Sequence, residues 1–288
     1  MGRLHSLLRF LERIRQSLTV PLKLDVHAVE HCNLNCKSCC HYSSIAQPEF
    51  LDPEVLEKNL MKLSKFQSSF HAFQILGGEP LLHPDLADIM DISRKYFDKI
   101  RITLTTNGIL LLNDDKLPHA FWQSCKKNNI VIRLTRYPVK IDYQAIEKKT
   151  EEKGIELELY YDRAAETRWG LYRLQEKDIR SRLNRIKCFR YRYCNMKNNL
   201  QLSGDKIYPC PMSAYVRHLN KFFNRNFKIG KKDYVCVDNL RHILQLRRLI
   251  FFSVPFCQYC GSGRLVTKWG ISGKDIHEWV DTSKDDKL

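Results

Sequence analysis

The sequence predicts an α/β protein: a partial (β/α)6 barrel followed by a small cysteine-rich domain. From Pro21 onward, short strand patterns alternate with helix patterns, which implies a parallel sheet or barrel. Within the strands apolar and polar residues alternate, whereas the strands of a fully packed barrel read as near-continuous apolar runs. If helices cover the apolar face, the polar face lines a lumen. Such a lumen must hold water or a ligand, because unpaired buried polar groups are costly.

The first strand, Leu22–Val29, sets Leu22, Leu24 and Val26 against Lys23, Asp25 and His27. Asp52-Pro53 then reads as a helix cap with proline in the first turn, followed by Leu56, Leu60 and Leu63. A second strand covers Phe73–Leu76, and Pro84 opens a helix carrying Leu86, Ile89 and Met90. The third strand, Ile100–Thr105, opposes Ile102 and Leu104 to Arg101 and Thr103, and a helix from Leu117 to Lys127 follows. In the fourth strand, Ile130–Tyr137, Ile132 and Leu134 oppose Arg133 and Thr135. Asp142 begins a helix that Gly154 stops, and Ile155–Tyr161 is the fifth strand. Beyond about Leu171 the pattern becomes irregular and basic. Asn199–Ser203 and Lys206–Tyr208 form a hairpin turning at Gly204-Asp205, and Ser272 with Asp275 reads as a capping box for a short last helix. The expected organisation is a basic amphipathic helix over 1–20, the barrel over 21–185 and the cysteine-rich part over 186–288.

Composition narrows the function. The chain has 288 residues, 43% of them hydrophobic, and 11 cysteines. No apolar run approaches the roughly 20 residues of a membrane span. Eleven cysteines without a secretory signal argue for a reducing, cytoplasmic setting and metal ligation rather than disulfides. The net charge is +16, with 19 Lys and Arg against 5 Asp and Glu between Leu171 and Ile250. That field either attracts phosphate groups or is a solvated face. The N-terminal helix, with Leu4, Leu7, Leu8 and Leu11 opposed by arginines, either packs on its own domain or makes weak contact with a membrane surface.

The chemistry concentrates at strand ends. Cys32, Cys36 and Cys39 follow the first strand in a C-x3-C-x2-C run. Three thiolates leave one position open on an iron–sulfur cube, and an open position is where chemistry happens. Gly77-Gly78-Glu79-Pro80 follows the second strand: the glycines admit a ligand to bare backbone and the glutamate accepts from an amine. Thr105-Thr106-Asn107-Gly108 follows the third strand, and Arg133 and Thr135 face inward on the fourth.

Together these residues resemble the radical S-adenosylmethionine (SAM) superfamily, from about Lys23 to Tyr137. The resemblance implies a partial barrel in which Cys32, Cys36 and Cys39 hold a [4Fe–4S] cluster, with SAM on its fourth iron. It implies reductive cleavage of SAM to a 5′-deoxyadenosyl radical that abstracts hydrogen from a substrate C–H bond. Gly77, Gly78 and Glu79 would meet the methionine amine and Arg133 and Thr135 its carboxylate, while the polar turn at Asn107 suits hydrogen bonding to a ribose or an amino acid. Where the family often has an aromatic residue before the third cysteine, this chain has Ser38. An electron donor such as flavodoxin or ferredoxin is implied.

A second set, Cys194, Cys210, Cys257 and Cys260, brackets the hairpin and ends in C-x2-C. It resembles the twitch domain, the short form of the SPASM domain, which holds an auxiliary [4Fe–4S] cluster. Structural zinc is the other reading of four thiolates. Cys188 and Cys236 are candidate hydrogen donors to a substrate radical, or inert; Cys125 is expected to pack in a helix. The expected activity is a radical SAM oxidoreductase acting on a small, sugar-like or nucleotide-linked substrate, phosphate-bearing in keeping with the basic segment. Peptide modification is the alternative within the family. A zinc-stabilised RNA-binding protein is the alternative from another class, but the strand-end motifs do not call for nucleic acid.

Overall fold

The computed structural model describes residues 20–162, 169–171, 173–175, 194, 199–260 and 265–281. The helix expected over residues 1–20 falls outside them apart from Val20, as does Cys188. Four strand–helix units and a fifth strand come first. They are β1 (Leu22–Val29), α1 (Pro53–Leu63), β2 (Phe70–Gly77), α2 (Leu86–Tyr96), β3 (Arg101–Thr106), α3 (Phe121–Lys127), β4 (Val131–Arg136), α4 (Tyr143–Glu152) and β5 (Leu157–Asp162). Then come β6 (Trp169–Leu171), β7 (Asn199–Ser203), β8 (Lys206–Tyr208), α5 (Pro211–Phe223), β9 (Val235–Cys236), α6 (Leu244–Phe251) and β10 (Leu265–Thr267).

One eight-stranded sheet organises the molecule in the order β5-β4-β3-β2-β1-β7-β8-β9. β1 to β5 pair in parallel, and β7 lies parallel to β1 on its other side. The sheet thus holds six parallel strands, but the sixth does not follow β5. It arrives from the hairpin, beside β1, and it carries the sheet across residue 185. Among the described residues β5 and β9 are its two edges, so the sheet is open there.

Alternation produces the layers as expected. Leu22, Leu24 and Val26 on β1, Ile75 on β2, Ile102 and Leu104 on β3 and Ile132 on β4 are no more than 1% exposed. Leu56, Leu60 and Leu63 of α1 and Leu86, Ile89 and Met90 of α2 belong to the same core. Truncating any one of these to alanine costs about 2–5 kcal/mol. Helix starts follow their caps: Asp52 accepts from Glu54 N at 2.8 Å and Asp142 from Ala145 N at 2.9 Å. Gly154 ends α4 in the left-handed region at φ 67°.

Three local expectations need correction. Pro84 lies ahead of α2, whose cap position is Asp85. α3 begins at Phe121 rather than Leu117, because Pro118 disfavours helix at the residue before it and Ala120 turns left-handed at φ 56°. Ser272 does not open the last helical turn. That turn is the three-residue 3-10 segment Ile276–Glu278, capped by Asp275, which accepts from His277 N at 2.9 Å. Among the described residues, no helix is long and apolar enough to cross a membrane.

Candidate active site

The loop after β1 carries Cys32, Cys36 and Cys39, and all three line a cavity of about 260 Å3 on the polar side of the sheet. Asn35 and Ser38 both adopt φ of 53°. Left-handed backbone at these two positions curls the loop so that its cysteines share one side. Asparagine tolerates that region, whereas serine needs support from its surroundings.

Support for Ser38 comes from the far end of the chain. Its N–H donates to Glu278 Oε2 at 3.1 Å and its hydroxyl to Glu278 O at 2.6 Å. The same carboxylate accepts from Ser272 Oγ and Gly273 N, each at 2.8 Å. Lys37 N donates to Gly270 O at 2.8 Å, Ser272 N to Asn35 O at 2.8 Å and Trp279 Nε1 to Cys39 O at 2.9 Å. The C-terminal segment therefore splints the cysteine loop along its whole outer side.

The thiols are poorly solvated. Burial pushes Cys36 up to about 12, with the Cys39 sulfur adding to the effect. Burial, then the Glu79 carboxylate, raises Cys32 as well. Leu34 N donates to Cys32 Sγ at 3.4 Å, and Asn107 Nδ2 lies 3.8 Å from it. Buried thiols of this kind become ligands when a metal compensates their charge. Among the described residues, no three His, Cys, Asp or Glu groups converge as a single metal ion needs. Three soft donors lining one cavity are a ligand set that a [4Fe–4S] cluster would accept.

The glycines of Gly-Gly-Glu-Pro are required by packing. A Cβ on Gly77, whose φ is 150°, would lie 2.2 Å from Val29 O, and one on Gly78 would lie 1.8 Å from His31 O. Gly78 N donates to Val29 O at 2.7 Å and Glu79 N to His31 O at 3.1 Å. The bare backbone thus admits the cysteine loop, a nearer partner than the ligand expected from sequence. Gly77 and Gly78 also line the cavity. Glu79 is fully buried and accepts from Thr106 Oγ1 at 2.7 Å, Asn107 N at 2.9 Å and Leu81 N at 3.2 Å. Burial lifts its carboxyl to about 7 against those bonds. Asn107 lines the cavity, donating from Nδ2 to Asn33 Oδ1 at 2.8 Å.

Thr135 lines the cavity and is 5% exposed. Arg133 is not among the lining residues: its Nε donates to Glu158 Oε2 at 3.1 Å and its guanidinium stands 5.0 Å from the Tyr160 ring. Tyr137 and Tyr160 also line the cavity. Cys236 lies on edge strand β9 in a separate groove with Lys231 and Arg248, so the structure does not bring it to the cavity. Cys125 is buried in α3, as expected of a packing residue.

Below the loop lies a buried polar network. His27 Nδ1 is 3.0 Å from Glu30 Oε2, and a 2.6 Å hydrogen bond joins its Nε2 to His41 Nδ1. His27 stacks on Tyr215 of α5 with centroids 3.6 Å apart. His218 Nε2 and Arg217, both on α5, reach the Glu30 carboxylate at 3.2 and 3.1 Å. Burial alone would raise Glu30, but His27, His218 and Arg217 hold it well below the usual carboxylate range.

Part of the second cysteine set assembles nearby. Cys210 precedes α5, and burial raises its thiol to about 11, with Cys194 close enough to add to the rise. Cys257 lies on the 3-10 turn Pro255–Tyr259, which Cys260 caps. Residues three apart eclipse in such a turn. Tyr42 is fully buried, which raises its hydroxyl pKa, and Cys210, Cys260, Cys40 and Cys39 add to the rise. Sequence reasoning missed Tyr42, Glu278 and Trp279. Tyr42 had a visible signal in its place next to the cysteine run, whereas the other two had none.

Residues 27–121 match the Radical SAM superfamily model. Similar curated proteins include the "Probable GTP 3′,8-cyclase" of Thermoplasma volcanium, 36% identical over 90 residues, or 31% of this chain and 27% of that protein. The GTP 3′,8-cyclase of Aquifex aeolicus is 33% identical over 99 residues, 33% of this chain and 30% of that protein. The S-adenosylmethionine-dependent nucleotide dehydratase of Selenomonas ruminantium is 28% identical over 100 residues, 33% of each chain. The matched stretch thus spans no more than about a third of the length of these relatives. Among solved structures, BtrN in complex with AdoMet and 2-DOIA aligns over 91% of this chain and 99% of that chain, at 15% identity and a TM-score of 0.49. The cysteine loop, the glycine-rich strand end and the Thr-Asn-Gly turn all fall within the matched residues, so the likeness to the Radical SAM superfamily covers this third of the chain.

Proposed function

We propose that this protein is a radical SAM enzyme whose cavity holds SAM and a small substrate above the polar face of the sheet. One observation carries the reading: Cys32, Cys36 and Cys39 line the same cavity as Gly77, Gly78 and Asn107. When bound, a [4Fe–4S] cluster and SAM supply an electron and a carbon-centred radical able to take hydrogen from an unactivated C–H bond. The chain's own part is to hold and shield. Cys32, Cys36 and Cys39 provide three thiolates; Gly78 and Glu79 anchor the loop to β2; Asn107 and Thr135 present polar groups to the ligand. Tyr137 and Tyr160 narrow access for water. The name of the Selenomonas relative, S-adenosylmethionine-dependent, supports the choice of cofactor.

Cys194, Cys210, Cys257 and Cys260 form the second part of the proposal, an auxiliary [4Fe–4S] site within residues 186–288. The place of Cys257 and Cys260 at one tight turn, and of Cys210 at the start of α5, supports it. The outcome class is oxidation or epimerisation of a sugar-like or nucleotide-linked substrate in the cytoplasm, with a flavodoxin or ferredoxin as electron donor.

Anaerobic reconstitution tests both parts. About eight irons per chain are expected, four per cluster, together with 5′-deoxyadenosine formation from SAM and dithionite. Replacing Cys32, Cys36 and Cys39 by alanine removes about four irons and all 5′-deoxyadenosine. Cys194→Ala removes about four irons, and unchanged iron there refutes the auxiliary site. A colourless zinc protein that leaves SAM intact refutes the whole reading.

A further inference from the structure

Strand register places four polar residues at one level across four neighbouring strands. Asp25 on β1 pairs with Gln201 on β7 and with Gln74 on β2, and Gln74 pairs with Thr103 on β3. All four are buried: Gln201 and Thr103 at 0%, Gln74 at 2% and Asp25 at 3% exposure. Asp25, Gln74 and Gln201 line the cavity. Among the described residues Gln201 Oε1, Gln74 Oε1 and Thr103 Oγ1 have no hydrogen-bond partner, and Asp25 Oδ1 has only the Lys23 ammonium beside it.

The opposite ends of these groups are committed, which sets their direction. Gln201 Nε2 donates to Asp25 Oδ2 at 2.9 Å and to Asn199 O at 3.1 Å, so its carbonyl oxygen is the end left over. Gln74 Nε2 donates to Thr105 Oγ1 at 2.5 Å. Lys23 Nζ stands 3.3 Å from Asp25 Oδ1. The row is therefore a floor of acceptor oxygens beside one ammonium. It lies about 13 Å below the end of β1, at about 3.3 Å per residue, and so beneath the level of Gly77, Gly78 and Asn107.

Buried polar atoms are almost always paired, and three unmet oxygens in one row call for a partner. The chemistry of the row selects that partner. An apolar group would leave all three unmet. A phosphate would face acceptor oxygens and a carboxylate, so the floor does not take the phosphate that the basic segment favours elsewhere. An ammonium would be repelled by Lys23, which already attends Asp25. Hydroxyl groups suit all of it, because each can donate to one oxygen while accepting from Lys23 or from the Thr103 hydroxyl. We infer that Gln201, Asp25, Gln74 and Thr103 form a floor that binds adjacent hydroxyl groups of a small neutral polyol, the substrate class of this cavity. The inference rests on reading the cavity as the substrate site.

The test uses the full chain, reconstituted anaerobically with SAM, and ligand-detected NMR titrations with myo-inositol, cyclohexanol and inorganic phosphate. Myo-inositol is expected to bind at least about tenfold more tightly than cyclohexanol or phosphate, the difference made by one or two satisfied hydrogen bonds. Gln74→Leu is expected to weaken myo-inositol at least about tenfold with little change in the thermal midpoint, since the lost bond to half-buried Thr105 is offset by removal of an unmet oxygen from the interior. Should that variant fail to fold, Gln74→Asn retracts the same oxygen and is expected to weaken binding in the same direction. Equal affinity for myo-inositol and cyclohexanol, or unchanged binding in the glutamine variant that folds, overturns the inference; that outcome includes a floor satisfied by water alone. Formation of 5′-deoxyadenosine by the wild type separates the two readings. If it forms while the polyol shows no preference, the floor falls and the radical reading stands. If the polyol binds and none forms, the radical reading falls and the floor stands.

Discussion

Replacing Glu278 by alanine should loosen a loop 240 residues away in sequence. The carboxylate accepts three hydrogen bonds, from Ser38 N at 3.1 Å and from Ser272 Oγ and Gly273 N at 2.8 Å. Ser38 is 2% exposed and sits at φ 53°. Its N–H would be left buried and unmet, at about 1–3 kcal/mol. Gly273 is exposed and Ser272 half-buried, so their donors can turn to water, at about 0.5–1.5 kcal/mol each. The total is about 2–6 kcal/mol, or a fall in Tm of roughly 4–24 °C at about 2–4 °C per kcal/mol. The assay is thermal unfolding of the apoprotein by circular dichroism, together with iron bound per chain after reconstitution. Glu278→Gln keeps one acceptor oxygen and should show about half the loss. A Glu278→Ala protein that melts within about 1 °C of wild type and binds the same iron would refute the splint.

Two other outcomes follow from the same geometry. Gly78→Ala pushes a Cβ to 1.8 Å from His31 O, a backbone atom that cannot swing away; stability should fall by about 1–3 kcal/mol or more, and reconstituted iron should fall with it. Asp91 ties α2 to α3 by accepting from Ser124 Oγ at 2.7 Å and pairing with Lys127 Nζ at 2.5 Å. Burial raises its carboxyl, but Lys127, Ser124 and Asn128 outweigh that and hold it below the ordinary range. A carboxyl depressed in the folded state contributes stability above its unfolded pKa of about 4 and loses it as pH falls through the folded value. Chemical denaturation should therefore show Asp91→Asn weaker than wild type by a constant margin at neutral pH, shrinking below about pH 4; a margin independent of pH would exclude the ionic contribution.

Local sequence determined the elements and the chemistry at their ends. Alternating residues such as Leu24 and Asp25 specify a two-faced strand because successive side chains point to opposite sides. Asp52 and Asp142 specify helix starts because a carboxylate can satisfy the first free N–H groups. The run Cys32, Cys36, Cys39 was legible because its ligands are near neighbours. Tertiary structure decided which distant parts complete the site. That β7 should pair with β1 depends on the edge β1 leaves open, which no local pattern encodes. Glu278 reaches Ser38, Tyr215 stacks on His27, and Gln201 lines up with Asp25 only when far strands and turns meet. Gly77 and Gly78 are needed because the cysteine loop packs against them. In each case the partner is fixed by packing across the chain, whereas spacing along the sequence constrains only what lies within a few residues.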